Sequence, residues 1–116
     1  MIRSRICSLL TILIIFESVS NCNGTTVGGW STVQNISTVQ SYVNEICTEI
    51  IDLLNDNGYN VNEGCYVHAI FAESQVVAGT NYKVNIRVCK KYADIEFFVP
   101  LPVNGQAQSP TDLSLV

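Results

Sequence analysis

The sequence predicts an α+β domain: one long α-helix packed across an antiparallel β-sheet. Three observations carry that prediction. Apolar residues between Ile36 and Leu54 recur at helical spacing, and those from Tyr82 to Val88 and from Ile95 to Val99 recur at every second position. The links between the alternating segments are short, which suits antiparallel hairpins and not parallel crossovers.

Ahead of both patterns stands a segment that does not belong to the fold. Arg3 and Arg5 precede the apolar run Ile6 to Phe16, and the small residues Ser18 and Ser20 follow it. This is the three-part pattern of a secretory signal peptide. Residues 1–20 are therefore expected to be removed, with cleavage after Ser20, leaving residues 21–116 as a single secreted domain. A membrane anchor is the competing reading, but the run falls short of the ~20 residues a spanning helix needs.

Residues 21–27 are small and polar without period, an arm that ends at Gly28-Gly29. Ile36, Val39, Val43, Ile46, Cys47, Ile50, Leu53 and Leu54 then mark one helix face, with Gln40, Asn44, Glu45, Thr48, Glu49 and Asp52 on the others. The spacing predicts one helix from about Val33 to Leu54, stopped by Asn57-Gly58, whose glycine suits a left-handed cap.

Beyond Gly64 the period becomes two. Cys65 to Ser74, rich in Tyr66, Val67, Ile70 and Phe71, reads as the strand that partners the two alternating segments in a meander. Pro100, Pro102, Gly105 and Pro110 break the pattern, and Leu113 to Val116 remains for a last strand. The helix has an apolar face that only this sheet can cover.

Composition excludes several functions. Without residues 1–20 the chain has four Lys and Arg against nine Asp and Glu, a net charge of −5. Nucleic-acid binding needs a basic face, and the only basic cluster is Lys90-Lys91. A cysteine nucleophile needs a base, and the only histidine, His68, sits inside a predicted strand, so no catalytic constellation forms. Zinc sites use close pairs of Cys or His, which are missing here, and there is no glycine-rich phosphate motif. Neither a metal nor a cofactor is expected, and the carboxylates Glu45, Glu49 and Asp52 read as a solvated helix face.

Cys22, Cys47, Cys65 and Cys89 remain for an oxidising compartment and permit three pairings. A turn centred near Val77 places Cys65 opposite Cys89, although a single bulge would shift that register. Cys47 falls in the apolar helix stripe, where a thiol acts as a small hydrophobe, and Cys22 is its other candidate partner. Asn23 and Asn35 begin N-x-S/T acceptor sequences for glycosylation.

The stretch Gln75-Val76-Val77-Ala78-Gly79 puts valines where the flanking strands should turn back. A tight polar hairpin would carry Asn-Gly or Asp-Gly. One reading extends the strands through Val76 and Val77 and turns at Ala78-Gly79; the other makes the valines a wedge for a partner's cleft.

This stretch resembles the QxVxG first loop of the cystatins, protein inhibitors of papain-like, cathepsin-type cysteine peptidases, and Thr80-Asn81-Tyr82 is similar to the stefin branch. Val27-Gly28-Gly29-Trp30-Ser31 resembles the family's N-terminal glycine arm, and Leu101-Pro102 its second loop. The resemblance implies a helix wrapped by a curved antiparallel sheet, with arm and loops aligned on one edge that enters the peptidase cleft. It implies reversible, competitive, non-covalent inhibition, with the arm residues Val27, Gly28 and Gly29 on the non-primed side, Gly28 as its flexible joint and Val27 and Thr26 toward the substrate-like subsites, Gln75, Val76, Val77, Ala78 and Gly79 at the centre, and Leu101 and Pro102 on the primed side. The expected state is a monomer, with domain swapping through the Gln75 to Gly79 hairpin as the route to a dimer. The alternative is a secreted, non-inhibitory interaction module on the same fold.

Overall fold

The computed structural model describes residues 29–116. The expected signal segment, Cys22, Asn23, Val27 and Gly28 lie outside the described residues.

The described elements are β1 (Ser31–Thr32), α1 (Ile36–Glu45), α2 (Cys47–Asp56), β2 (Val67–Val77), β3 (Gly79–Val88), β4 (Lys91–Val99) and β5 (Thr111–Leu115). The strands form one antiparallel sheet in the order β1-β2-β3-β4-β5, so each strand lies beside its neighbour in sequence. The helices cover one face. Val39, Val43, Ile46, Ile50 and Leu54 pack there against Val84, Ile86, Val88, Ile95 and Phe97. Those strand residues alternate, which is why period two was legible in the sequence.

The helical segment corrects the expectation in two respects. It begins at Ile36 and not at Val33, because the Val33 N–H donates to the Ala72 carbonyl at 2.9 Å and thereby belongs to the sheet edge. Asn35 then caps the helix, its Oδ1 accepting from the Ser37 N–H at 3.2 Å. The expected single long helix is two, separated at Ile46, whose φ of −113° and ψ of 22° leave the helical range.

Neither proline nor glycine causes this break. The flanking ladder continues, with the Ile46 N–H donating to Tyr42 O at 3.2 Å and the Ile50 N–H to Ile46 O at 2.9 Å. Val43, Ile46 and Ile50 are all buried, so both halves of the helical segment keep their apolar face on the core across the break.

Register decides the disulfide. From the tip back, the pairs run Val77↔Gly79 to Phe71↔Asn85, centred on Ala78 and not on Val77 as the spacing suggested. A bulge at Ile70 then shifts the pairing to Ala69↔Ile86 and Val67↔Val88. The extra residue turns Val67 into the core opposite Val88 and leaves His68 edge-on to Tyr66, with ring centroids 4.5 Å apart. Cys65 and Cys89 lie past the ends of the paired strands and are bridged, with a Cα–Cα distance of 5.4 Å. The expected bridge therefore forms through a different register. Cys47 is a half-buried free thiol among the described residues.

One helix side chain finishes the sheet. β1 pairs β2 only at Ser31↔Ser74 and Thr32↔Glu73, so on the edge away from β3 the far end of β2 has no strand partner among the described residues. There Gln40 donates through Nε2 to the Val67 carbonyl at 2.8 Å and accepts through Oε1 from the Ala69 N–H at 2.7 Å. Its carboxamide thus stands in for a neighbouring peptide unit and satisfies a strand edge that would otherwise be open.

Candidate functional site

Three segments converge at one end of the sheet because strand register carries them there. β1 meets β2 at Ser31↔Ser74, so the chain leading into it, Gly29 and Trp30, runs beside the last residues of β2. Thr80 pairs with both Val76 and Val99, which brings Pro100, Leu101 and Pro102 alongside the β2–β3 hairpin. The sequence-predicted residues Gly29, Gln75 to Gly79, Leu101 and Pro102 are thus gathered on one edge. Val27 and Gly28 lie outside the described residues.

The first hairpin follows the reading that extends the strands through its valines. Val76 and Val77 are residues of β2, and the reversal is made at Ala78. Yet Val76 is 67% exposed although it shares a strand face with buried Ala72. Nothing in the described chain covers it. Gln75 Oε1 accepts from Asn81 Nδ2 at 3.2 Å, a cross-strand contact that braces the hairpin below its tip.

Gly79 is required by close approach. Its φ is +119°, and a Cβ there would lie 2.7 Å from the Val99 carbonyl oxygen and 2.5 Å from the Phe98 ring. Only glycine lets β3 start this close to β4, which sets the distance between first hairpin and second loop.

The second loop has a tip of its own. Val103 and Gln106 form an isolated bridge, each N–H donating to the other's carbonyl at 2.9 Å. Between them Asn104 and Gly105 have φ of 52° and 79°, the left-handed pair that a two-residue hairpin turn needs. This miniature hairpin exposes Leu101 (59%) and Val103 (57%). Sequence reasoning passed over Val103; the signal that could have found it is the Asn-Gly pair beside it. The loop is tied down at its far end by buried Pro110 and by the Ser109 hydroxyl, which donates to Glu45 on α1.

Chemically, this edge offers contact surface and no reactive group. No Asp, Glu, Lys or Arg occurs from Gly29 to Gln40, from Ser74 to Tyr82, or from Phe97 to Thr111. Charge begins just behind it: Lys83 pairs with Glu73 and Glu96 across the sheet, and its Nζ lies 4.2 Å from the centroid of the Trp30 ring. That contact fixes the base of the arm. Between helix and sheet, Tyr42, Tyr82 and Phe97 form an aromatic group, with Tyr42–Tyr82 and Tyr82–Phe97 centroids both 5.6 Å apart. Burial raises the Tyr82 pKa above its ordinary value, with the neighbouring Tyr42 adding to the effect. Among the described residues no group of three or more His, Cys, Asp or Glu is placed to hold a metal ion, and no helix is long and apolar enough to cross a membrane.

Neither the protein-family models nor the curated proteins contain a match to the chain. Among solved structures, it is similar to a secreted type 1 cystatin from Fasciola hepatica, with 28% sequence identity and a TM-score of 0.53, over 78% of this chain and 97% of that one. Gly29, the first hairpin and the second loop thus lie in order on one edge of a fold similar to that of a type 1 cystatin, a likeness that supports the resemblance to the cystatin family.

Proposed function

We propose that the protein is a reversible, competitive, non-covalent inhibitor of papain-like cysteine peptidases, exported by removal of residues 1–20. The observation that carries this reading is the position of Val76, Leu101 and Val103: three large apolar side chains, more than half exposed, on one uncharged edge. A cleft that covered them would gain roughly 1.5–3 kcal/mol for each side chain fully buried. Members of the family are inhibitors and not enzymes, in keeping with an edge of backbone and hydrocarbon.

The shape of the edge supports a wedge mechanism. The hairpin tip and the second loop fill the cleft beside the catalytic cysteine, while the arm residues Val27, Gly28 and Gly29 take the substrate-like side. Both loops are stiffened before binding, the first by its ladder to β3 and the second by Pro100, Pro102 and the Val103–Gln106 bridge. Little conformational entropy is then lost on association. The wedge excludes substrate without presenting a peptide bond to the nucleophile, so no covalent intermediate forms.

The Cys65–Cys89 bridge suits an oxidising, extracellular setting. There, Asn35 is placed to carry a glycan, since its Oδ1 caps α1 and no described partner holds its amide nitrogen. Asn23 lies outside the described residues. Glycosidase treatment of the exported protein should shift its mobility, and Asn35→Gln should remove that shift.

The deciding experiment for the inhibitor reading is titration of the exported protein into an active-site-calibrated papain-like peptidase with a small fluorogenic substrate. Reversible, competitive inhibition near one-to-one stoichiometry is expected. Folded protein that leaves hydrolysis untouched would sink the reading.

A further inference from the structure

The chain contains three Asn-Gly pairs, and the fold treats the two described ones differently. Asn57-Gly58 closes α2. Asn57 Nδ2 donates to the Leu53 carbonyl at 2.8 Å, and the Gly58 N–H donates to Asn55 O at 3.1 Å, so both groups that could react with one another are held. Asn104-Gly105 forms the tip of the second loop, where both residues are exposed. There the Asn104 carboxamide makes no hydrogen bond among the described residues, the Gly105 N–H donates none, and nothing lies within 4 Å of where a Gly105 Cβ would be.

We propose that Asn104 is a site of spontaneous deamidation that ages the second loop. The Gly105 backbone nitrogen, having given its proton to solvent base, attacks Asn104 Cγ; the new C–N bond closes a succinimide, and the Cγ–Nδ2 bond breaks with loss of ammonia. Water then opens the ring at either carbonyl, leaving aspartate or isoaspartate at residue 104. No oxidant or enzyme is required. Glycine favours the attack because no side chain obstructs its nitrogen. For the attack, the Asn104 backbone must rotate out of its turn, and what resists is a single exposed bridge with no flanking strand, Val103↔Gln106. At Asn57 the resistance is a packed helix end that buries Leu54 and accepts the Asn57 and Tyr59 N–H groups on the Leu54 carbonyl at 3.0 Å.

The product alters the edge in two ways. A carboxylate appears between Leu101 and Val103 on one side and Gln106 on the other, in a segment that has no charge and a chain that is already acidic. Isoaspartate also inserts a methylene into the backbone, which the two-residue turn between Val103 and Gln106 has no room for. Resting on the inhibitor reading above, ageing at Asn104 weakens the hold on the peptidase by burying an unpaired charge.

The test incubates disulfide-bonded protein from a secretory host in mildly alkaline buffer and follows each asparagine by peptide mapping, with isoaspartate detected by methyltransferase labelling. Acid is expected at residue 104 at least about tenfold faster than at residue 57, where two hydrogen bonds must break first. In the reduced, denatured chain the two rates should converge, because the reacting pair is the same. Equal rates in the folded protein, or faster reaction at Asn57, would overturn the site. The peptide at Asn23-Gly24 is scored separately. Inhibition by aged wild type should fall about tenfold while aged Asn104→Ser keeps its potency; aged wild type that inhibits like fresh protein would overturn the consequence for the loop. Fresh protein that does not inhibit would defeat the inhibitor reading alone, leaving the mapping result to stand or fall by itself.

Discussion

Replacing Gly79 by alanine tests the link between the first hairpin and the second loop. Two costs can be separated on the structure. The first is conformational: a residue with a Cβ held at φ +119° is strained by roughly 1–3 kcal/mol. The second is steric. A Cβ at 2.7 Å from the Val99 carbonyl oxygen must drive that oxygen outward beyond 3.4 Å, and the Phe98 ring at 2.5 Å must rotate as well. The ring can yield, whereas the carbonyl belongs to the β3–β4 ladder at Thr80↔Val99. Overpacking of this kind costs about 1–3 kcal/mol more, for a total near 4 kcal/mol.

Gly58→Ala provides the control. Gly58 has φ +84° but nothing within 4 Å of its Cβ position, so its substitution carries the conformational cost alone. Denaturant unfolding, read by the fluorescence of Trp30, the only tryptophan, should show Gly79→Ala as the more destabilised by about 2 kcal/mol. Peptidase inhibition should fall for Gly79→Ala and hold for Gly58→Ala, because Val99 leads directly into Pro100-Leu101. Equal destabilisation of the two variants with inhibition intact would refute the argument that close approach at Gly79 sets the spacing of the loops.

Other perturbations reach the remaining parts. Gln40→Leu should destabilise the fold by about 2 kcal/mol, one for each hydrogen bond to Val67 and Ala69, and should raise self-association measured by light scattering, since it uncovers the β2 edge. Unchanged stability would mean that the edge is satisfied by water. Val76→Asp should leave unfolding within about 0.5 kcal/mol of wild type, as its side chain is exposed, yet reduce inhibition more than about a hundredfold; a large loss of stability would show that Val76 packs within the molecule. The raised Tyr82 pKa has a definite sign: folding favours the protonated phenol, so this contribution is complete below about pH 10 and is lost as pH rises through the higher folded value. Alkaline unfolding curves for wild type and Tyr82→Phe should therefore converge with the Tyr82 contribution removed; identical pH slopes would contradict it.

Much of this was readable in the chain, and the reason differs from element to element. Val39, Val43, Ile50 and Leu54 announce a helix face because helical period is a local property, and Val84, Ile86 and Val88 announce a strand for the same reason. The apolar tip at Val76 was visible because its composition conflicts with a solvated turn, and the second loop because Leu101-Pro102 resembles a cystatin motif. Cys65 and Cys89 were paired correctly from a register that was itself displaced, since two cysteines past the strand ends tolerate an offset that paired core residues would not.

What the chain determined by itself, then, was periodicity, the order of its elements and the chemistry of its loops, all of which depend on neighbours a few residues apart. Tertiary structure decided the break at Ile46, the bulge at Ile70, the short strand Ser31–Thr32 and the use of Gln40 as a stand-in for a strand. Each of these involves a distant segment: a sheet beneath the helix, a core face that must match β3, a strand edge that must be satisfied. Val103 joined the edge for the same reason, because its exposure beside Leu101 depends on a turn that brings Gln106 back to it and on the sheet that holds both loops at one end.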